Sequence, residues 1–300
     1  MLLGTGRRAK RHPGVRDEDT APAGPSGPHK RTRWITWSPT RMALITALAV
    51  GAVVTLTPAN GAASDIATRF VRAVRHLAAP SRAGQAFAGT PAVGALFTTS
   101  AGQLGQHFCT ASVVDSPAGD LVITAAHCVT GASGTIEFVP GYDRGDQPYG
   151  VWTVTKVYVD QAWKSSSSED DDFAFLRVSQ PGSSVPVENV TGAERLAAST
   201  PVSRQMVQVI GYPNATNQPI TCQNRLRQPM AGQLEFDCDD YTNGTSGGPF
   251  LSDVDQATGQ GLVIGVIGGY QQGGDTPAVS YSAVLGASAT ALYKQAVADG

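Results

Sequence analysis

From residue 90 onward, apolar residues come in runs of five to nine, cut by Gly, Pro and Asp. The runs are AVGALF (92–97), HFCTASVV (107–114), LVITAA (121–126), TIEFV (135–139), VWTVTKVYV (151–159), FAFLRV (173–178), MVQVIGY (206–212), QLEFDC (233–238) and GLVIGVIGG (261–269). Runs this short, rich in β-branched and aromatic residues, read as strands. Their close spacing predicts an all-β sandwich or a pair of barrels. Only the tail, Ala287 to Ala298 (ASATALYKQAVA), reads firmly as helix. No period of 20–50 residues recurs, which excludes a solenoid or propeller.

Before residue 90 the texture differs. Residues 1–41 carry RRAKRH, PAGPSGP and KRTR and read as disordered. Met42 to Thr57 is apolar but only 16 residues long, short of the roughly 20 a membrane span needs. A basic flank, a short apolar core and the small-residue exit PANGAAS predict a signal peptide, cleaved after Ala59 or Ala63. The alternative is a retained anchor that holds the rest of the chain outside the membrane. Residues 64–89 read as a linker or pro-segment, with a short amphipathic helix over 65–77. The expected organisation is therefore 1–63 lead and signal, 64–89 linker or pro-segment, 90–300 folded domain.

Composition adds two exclusions. A hydrophobic share of 41% is incompatible with wholesale disorder. The net charge of −2 hides a split: residues 1–63 hold nine basic and three acidic residues, the remainder 13 basic and 21 acidic. The folded part lacks the basic surplus that phosphate contacts require, so nucleic acid is excluded as its partner. The four cysteines, Cys109, Cys128, Cys222 and Cys238, are an even set behind an export signal and read as two disulfides. Of three possible pairings, sequence neighbours are expected: Cys109–Cys128 and Cys222–Cys238. The absence of any CxxC spacing argues against zinc.

Three local signals carry chemistry. In LVITAAHCV (121–129) a buried strand runs through the small pair Ala125-Ala126 into His127 and Cys128. A stapled histidine there suits a general base that must keep hydrogen-bond reach of its nucleophile. In EDDDFAFLRV (169–178) Asp172 is the last acid before a strand. It is placed to point inward and accept from an imidazole N–H, while Glu169, Asp170 and Asp171 read as a solvated turn. In CDDYTNGTSGGPFL (238–251) Gly244, Gly247 and Gly248 surround Ser246. Glycines permit the φ angles that converge N–H groups on one point, an oxyanion site with Gly244 and Ser246 as donors. The other histidines, His12, His29, His76 and His107, match no motif.

Together these sites resemble the trypsin/chymotrypsin family of serine peptidases, and within it the bacterial secreted branch, over roughly residues 92–300. TAAHC, DFAFL and GTSGGP occur in the order His, Asp, Ser, with steps of 45 and 74 residues between the three side chains; other Ser-His-Asp folds order them differently. The resemblance implies an all-β fold of two six-stranded antiparallel β-barrels with a short C-terminal helix. His127 and Asp172 would come from the first barrel, Ser246 from the second, with the site in the cleft. It implies a secreted, monomeric serine endopeptidase acting on protein or peptide substrates through an acyl-enzyme on Ser246. No metal or organic cofactor is needed for that chemistry.

The chain departs from the family in places. Thr245 stands where the animal enzymes carry the aspartate that pairs with a newly cut N-terminus, so activation by that ion pair is not expected. Cys238 lies eight residues before Ser246, farther upstream than in the animal loop. Asp240, six residues before Ser246, matches the acid at the base of the trypsin-like specificity pocket and implies preference for Arg or Lys on the acyl side. The alternative is that Asp239 and Asp240 are loop acids. Ile267, Gly268 and Gly269 are expected to line that pocket, and Ile267 replaces the histidine of glutamate-specific members. Two competing readings are a non-catalytic binding protein on the same fold and a membrane-tethered interaction protein.

Overall fold

The computed structural model describes residues 82–100, 102–197 and 205–300. The basic lead, the signal segment and the helix expected over 65–77 lie outside these residues. No helix of the described residues is long and apolar enough to cross a membrane.

Six strands close into an antiparallel barrel: β2 (Val93–Ser100), β3 (Gln103–Val114), β4 (Leu121–Thr124), β5 (Thr135–Pro140), β6 (Trp152–Val159) and β7 (Ala174–Ser179), in the order β2-β3-β4-β7-β6-β5. The alternation of side chains along a strand explains how short runs fill two cores at once. In β4, Val122 points into the barrel, onto Leu96, Ala111, Val113, Phe138 and Leu176. Its neighbours Leu121 and Ile123 point outward, into a core shared with the second half and with the C-terminal helix. Because both faces are buried, Leu121, Val122 and Ile123 are apolar in succession rather than alternating with polar residues, and the buried Thr124 hydroxyl is met by Thr110 O.

The second half holds a six-stranded sheet in the order β1-β10-β9-β13-β14-β8 and a three-stranded sheet, β11-β12-β15. The strands are β1 (Gln85–Ala86), β8 (Arg195–Leu196), β9 (Met206–Gly211), β10 (Ile220–Arg225), β11 (Arg227–Met230), β12 (Gln233–Asp237), β13 (Pro249–Ser252), β14 (Leu262–Val266) and β15 (Val279–Ala283). Between β14 and β15 the Ser282 hydroxyl accepts from the Val266 N–H at 2.9 Å, so a side chain stands where a ladder bond would run. β1 lies within the stretch read as linker and pairs with β10. Among the described residues there are four short α-helices: α1 (Ala126–Val129), α2 (Gln161–Ser166), α3 (Glu188–Thr191) and α4 (Ala287–Ala298), the last being the helix expected from the tail. α4 buries Ala289, Leu292 and Ala296 and is tied to the barrel by Arg177 Nη2 donating to Ala296 O at 2.7 Å.

Glu194 marks the seam between the halves. Its N–H donates to Val113 O and its carbonyl accepts from Asp115 N–H, both at 2.9 Å, while its Oε2 accepts from Gly261 N–H. The side chain is fully buried and Oε1 has no partner among the described residues. Burial disfavours the charged form and pushes its pKa up to about 7. The folded state therefore favours the protonated acid. That contribution is complete below the unfolded-state pKa and is lost as pH rises through 7. Glu194→Gln is expected to match wild type near pH 4.5 and to exceed it by roughly 3 kcal/mol above pH 8. Urea unfolding of both proteins at the two pH values checks this; a pH-independent difference would contradict it.

Candidate active site

His127 sits on the one-turn helix α1, directly after the buried strand β4. The disulfide Cys109–Cys128, with Cα atoms 6.2 Å apart, fastens that turn to β3. Asp172 follows the acidic 3₁₀ turn Glu169–Asp171, immediately before β7, and is fully buried. Its Oδ1 accepts from His127 N–H at 2.9 Å. Its Oδ2 lies 2.8 Å from His127 Nδ1 and accepts from Gly269 N–H at 2.9 Å. A carboxylate that already accepts two amide hydrogens accepts from the ring as well, which places the imidazole proton on Nδ1 and leaves a lone pair on Nε2. The three acids preceding Asp172 have other partners: Glu169 accepts from Gln271 N–H and Asp170 from Gln233 Nε2, both in the second half, and Asp171 from Ser168 Oγ of its own turn.

The loop around Ser246 is fixed peptide by peptide. Asn243 O accepts from Asn214 N–H at 2.7 Å, Thr245 O from Gly248 N–H at 2.9 Å and Ser246 O from Thr110 N–H at 2.7 Å. Gly244 O accepts from Thr110 Oγ1 at 2.9 Å. The N–H groups of Thr245, Gly247 and Gly248 are all engaged. Those of Gly244 and Ser246 have no acceptor among the described residues. In a trans peptide the N–H lies opposite its carbonyl, so pinning Asn243 O and Thr245 O aims the two free donors away from the packed side. Both residues line a cavity of about 310 Å³ that also touches His127 and the Cys109–Cys128 bridge. The Ser246 hydroxyl and His127 Nε2 make no hydrogen bond among the described residues; both residues border this one cavity.

A second cavity of about 410 Å³ adjoins Ser246 and is lined by Asn214, Tyr241, Ile267, Gln272 and Asp275 among others. Here three expectations need correction. Asp240 is exposed on the turn, at φ +75°, and does not line this cavity. The left-handed turn carries its side chain away, and Tyr241 faces inward in its place, with its hydroxyl donating to Val209 O. Gly268 and Gly269 do not line the cavity either; they back Asp172. A Cβ on Gly268 would meet Asp172 O at 2.9 Å and Ala125 Cβ at 3.2 Å. Ile267 does line it, and Asp275, unremarked in the sequence, is the one charged residue in the lining.

Other contributors were equally silent in the sequence. Thr110 lies inside a strand run, and Asn214 lies in a turn. Gln272 borders both of these cavities and a further one lined by His127, Thr130, Trp163, Lys164 and Ser167. His107 is buried among Phe97, Tyr142 and Tyr212, and its Nε2 donates to Thr216 O at 2.8 Å, which steadies the loop carrying Asn214. Burial lowers its pKa, so the ring is held neutral. The second disulfide joins Cys222 of β10 to Cys238, just beyond β12. Cys109, His127 and Cys128 are grouped closely enough to suggest a metal trio, but both sulfurs are spent in the disulfide and offer no thiolate.

The trypsin family model matches residues 84–284. Among solved structures, the protease Anisep from Arthrobacter nicotinovorans is 23% identical, covering 72% of this chain and 99% of its own, with a TM-score of 0.61. The thermostable serine protease AL20 from an extremophilic microorganism is 24% identical, covering 70% of this chain and 99% of its own, with a TM-score of 0.59. A Glu endopeptidase is 16% identical, covering 73% and 98%, with a TM-score of 0.57. No curated protein matches the chain.

The tightest constraint in the loop is Gly247, at φ +81°, where a Cβ would lie 2.1 Å from Thr124 Oγ1 and 2.2 Å from Thr110 O. Gly247→Ala is expected to destabilise the fold by more than about 2 kcal/mol, because backbone must move to admit the methyl group. Chemical denaturation checks this; a loss below about 0.5 kcal/mol would mean that the loop is not packed as described.

Proposed function

The chain belongs to the trypsin family of serine endopeptidases, and from that premise we propose that it hydrolyses peptide bonds through an acyl-enzyme on Ser246. The observation that carries the reading is the pairing of a polarised His127 with two unengaged N–H groups at one cavity beside Ser246. Ser246 Oγ attacks the scissile carbonyl carbon as His127 Nε2 takes its proton. The carbonyl oxygen becomes an oxyanion and receives the free N–H groups of Gly244 and Ser246. Collapse breaks the C–N bond, and His127 Nε2 returns the proton to the leaving amine. Water then repeats the sequence on the ester, and the proton returns to Ser246 Oγ. Asp172 holds the Nδ1 tautomer and stabilises the transient imidazolium. Export fits this reading, because the two disulfides suit an oxidising compartment.

For the acyl-side residue, the basic preference expected from Asp240 moves to Asp275. Its carboxylate is exposed at the cavity and held by Gln271 Nε2 at 2.5 Å. A solvated acid favours Arg or Lys modestly and disfavours Glu; Ile267 provides no cation to receive Glu.

Ser246→Ala is expected to lower turnover on the order of 10⁶-fold with the fold intact, and retention of more than a few per cent of activity would refute the assignment. Asp275→Asn is expected to reduce the Arg-over-Gln ratio of kcat/KM about fivefold, the scale of an exposed ion pair. Asp240→Asn should leave that ratio unchanged. The reverse outcome, or a wild type that prefers Phe, would overturn the specificity proposal.

A further inference from the structure

Thr110 belongs to the first barrel yet makes two hydrogen bonds to the Ser246 loop. It is fully buried on β3. Its N–H donates to Ser246 O at 2.7 Å. Its hydroxyl accepts from Tyr212 N–H at 2.9 Å, and since an amide nitrogen only donates, the hydroxyl proton is directed to Gly244 O at 2.9 Å. Its carbonyl accepts from Thr124 Oγ1 at 2.7 Å. Donor and acceptor capacity of one buried hydroxyl are thus both used, on two different segments of the second half.

We infer that Thr110 is a positioning residue for the oxyanion hole, acting through the Gly244 and Ser246 carbonyls; the inference rests on the acyl-transfer reading of this site. The reason lies in Gly244. At φ +97° and without a side chain, its backbone has no steric preference strong enough to hold the 244–245 peptide plane. The flanking planes are held by Asn214 and Gly248; this one is held at its N–H end by Thr245 N–H donating to Thr242 O at 3.1 Å and at its carbonyl end by the Thr110 hydroxyl. Without that hydroxyl, Gly244 O and Tyr212 N–H are both buried groups lacking a partner. Gly244 O can recover a partner by turning toward water in the adjoining cavity, and because this plane joins the 243–244 and 245–246 planes that carry the two free donors, its rotation disturbs their common aim at the oxyanion. Substrate binding does not use this plane, so the loss falls on the transition state.

The test compares Thr110→Val, which keeps the shape and removes the hydroxyl, with Thr110→Ser, which keeps the hydroxyl. Each is measured for kcat and KM on a peptide substrate, for affinity toward a peptide boronate that mimics the tetrahedral adduct, and for affinity toward the cleaved acyl-side peptide. Near-ultraviolet circular dichroism reports folding. The Val variant is expected to lose roughly 10–100-fold in kcat and a similar factor in boronate affinity, somewhat less than removal of a donor outright. Its KM and product affinity should stay within about threefold, and Ser should restore kcat to within about threefold of wild type. Wild-type kcat in the Val variant, equal losses in Val and Ser, or a loss confined to KM would each overturn the inference. If Val does not fold, Thr110→Ala takes its place; if neither folds while Ser does, Thr110 is purely architectural and the inference fails. Ser246→Ala separates the two levels: residual activity there removes the acyl-enzyme reading itself, whereas an inactive Ser246→Ala beside a fully active Thr110→Val removes only this inference.

Discussion

A carboxylate taken fully out of water must be met by hydrogen-bond donors, or the fold bears a large desolvation cost. Asp172 is such a group, and its three donors come from two places: the backbone and ring of His127, and the Gly269 backbone of the second half. Satisfying this one side chain therefore orients the histidine, sets its tautomer and brings the β14 exit against the first barrel. Gly268 is dictated by the same contact, because no side chain fits between its Cα and Asp172 O. Lys164 and Asp275, the charged residues that line these cavities besides His127, are solvent-exposed.

Around that group, β3 acts as the brace of the molecule. Within five residues it sends Gln106 to Asn214 O, His107 to Thr216 O, Cys109 to Cys128 and Thr110 to the Ser246 loop. Adjacent positions on one strand thus hold the His127 turn and the Ser246 loop. Strands of a closed barrel move little relative to one another, so groups hung from β3 keep their mutual distance while their loops remain accessible. The acyl transfer proposed for this site needs that combination, because a general base and an oxyanion site displaced by an ångström lose much of their effect.

The buried polar groups divide by what surrounds them. Asp172 and Thr110 use their hydrogen-bonding capacity in full, and both sit at the site. Glu194 does not: one oxygen has no donor among the described residues, and its carboxyl is pushed toward the neutral acid. It lies at the seam, remote from the cavities that touch Ser246. The chain thus tolerates an incompletely satisfied acid where only cohesion is at stake.

The sequence by itself determined the strand-rich class and the C-terminal helix, and it singled out His127, Asp172 and Ser246 as the candidate site. These rest on local rules: short apolar runs between turns, and residues such as HC and GTSGG whose chemistry is concentrated within a few positions. β10 and β15, ITCQNR and VSYSA, escaped because their polar faces dilute the apolar pattern and only pairing with neighbours reveals them. Asp240 misled for a related reason: its distance from Ser246 along the chain is a local quantity, whereas the direction of its side chain follows from a left-handed turn. Thr110, Asn214, Gln272 and Asp275 carry no local signature at all. Each is an ordinary residue whose role comes from a site some 26 to 136 positions away, counted to Ser246. Only closure of the barrel against the second half brings those partners together, since hydrogen bonds and cavities are set by distance in space.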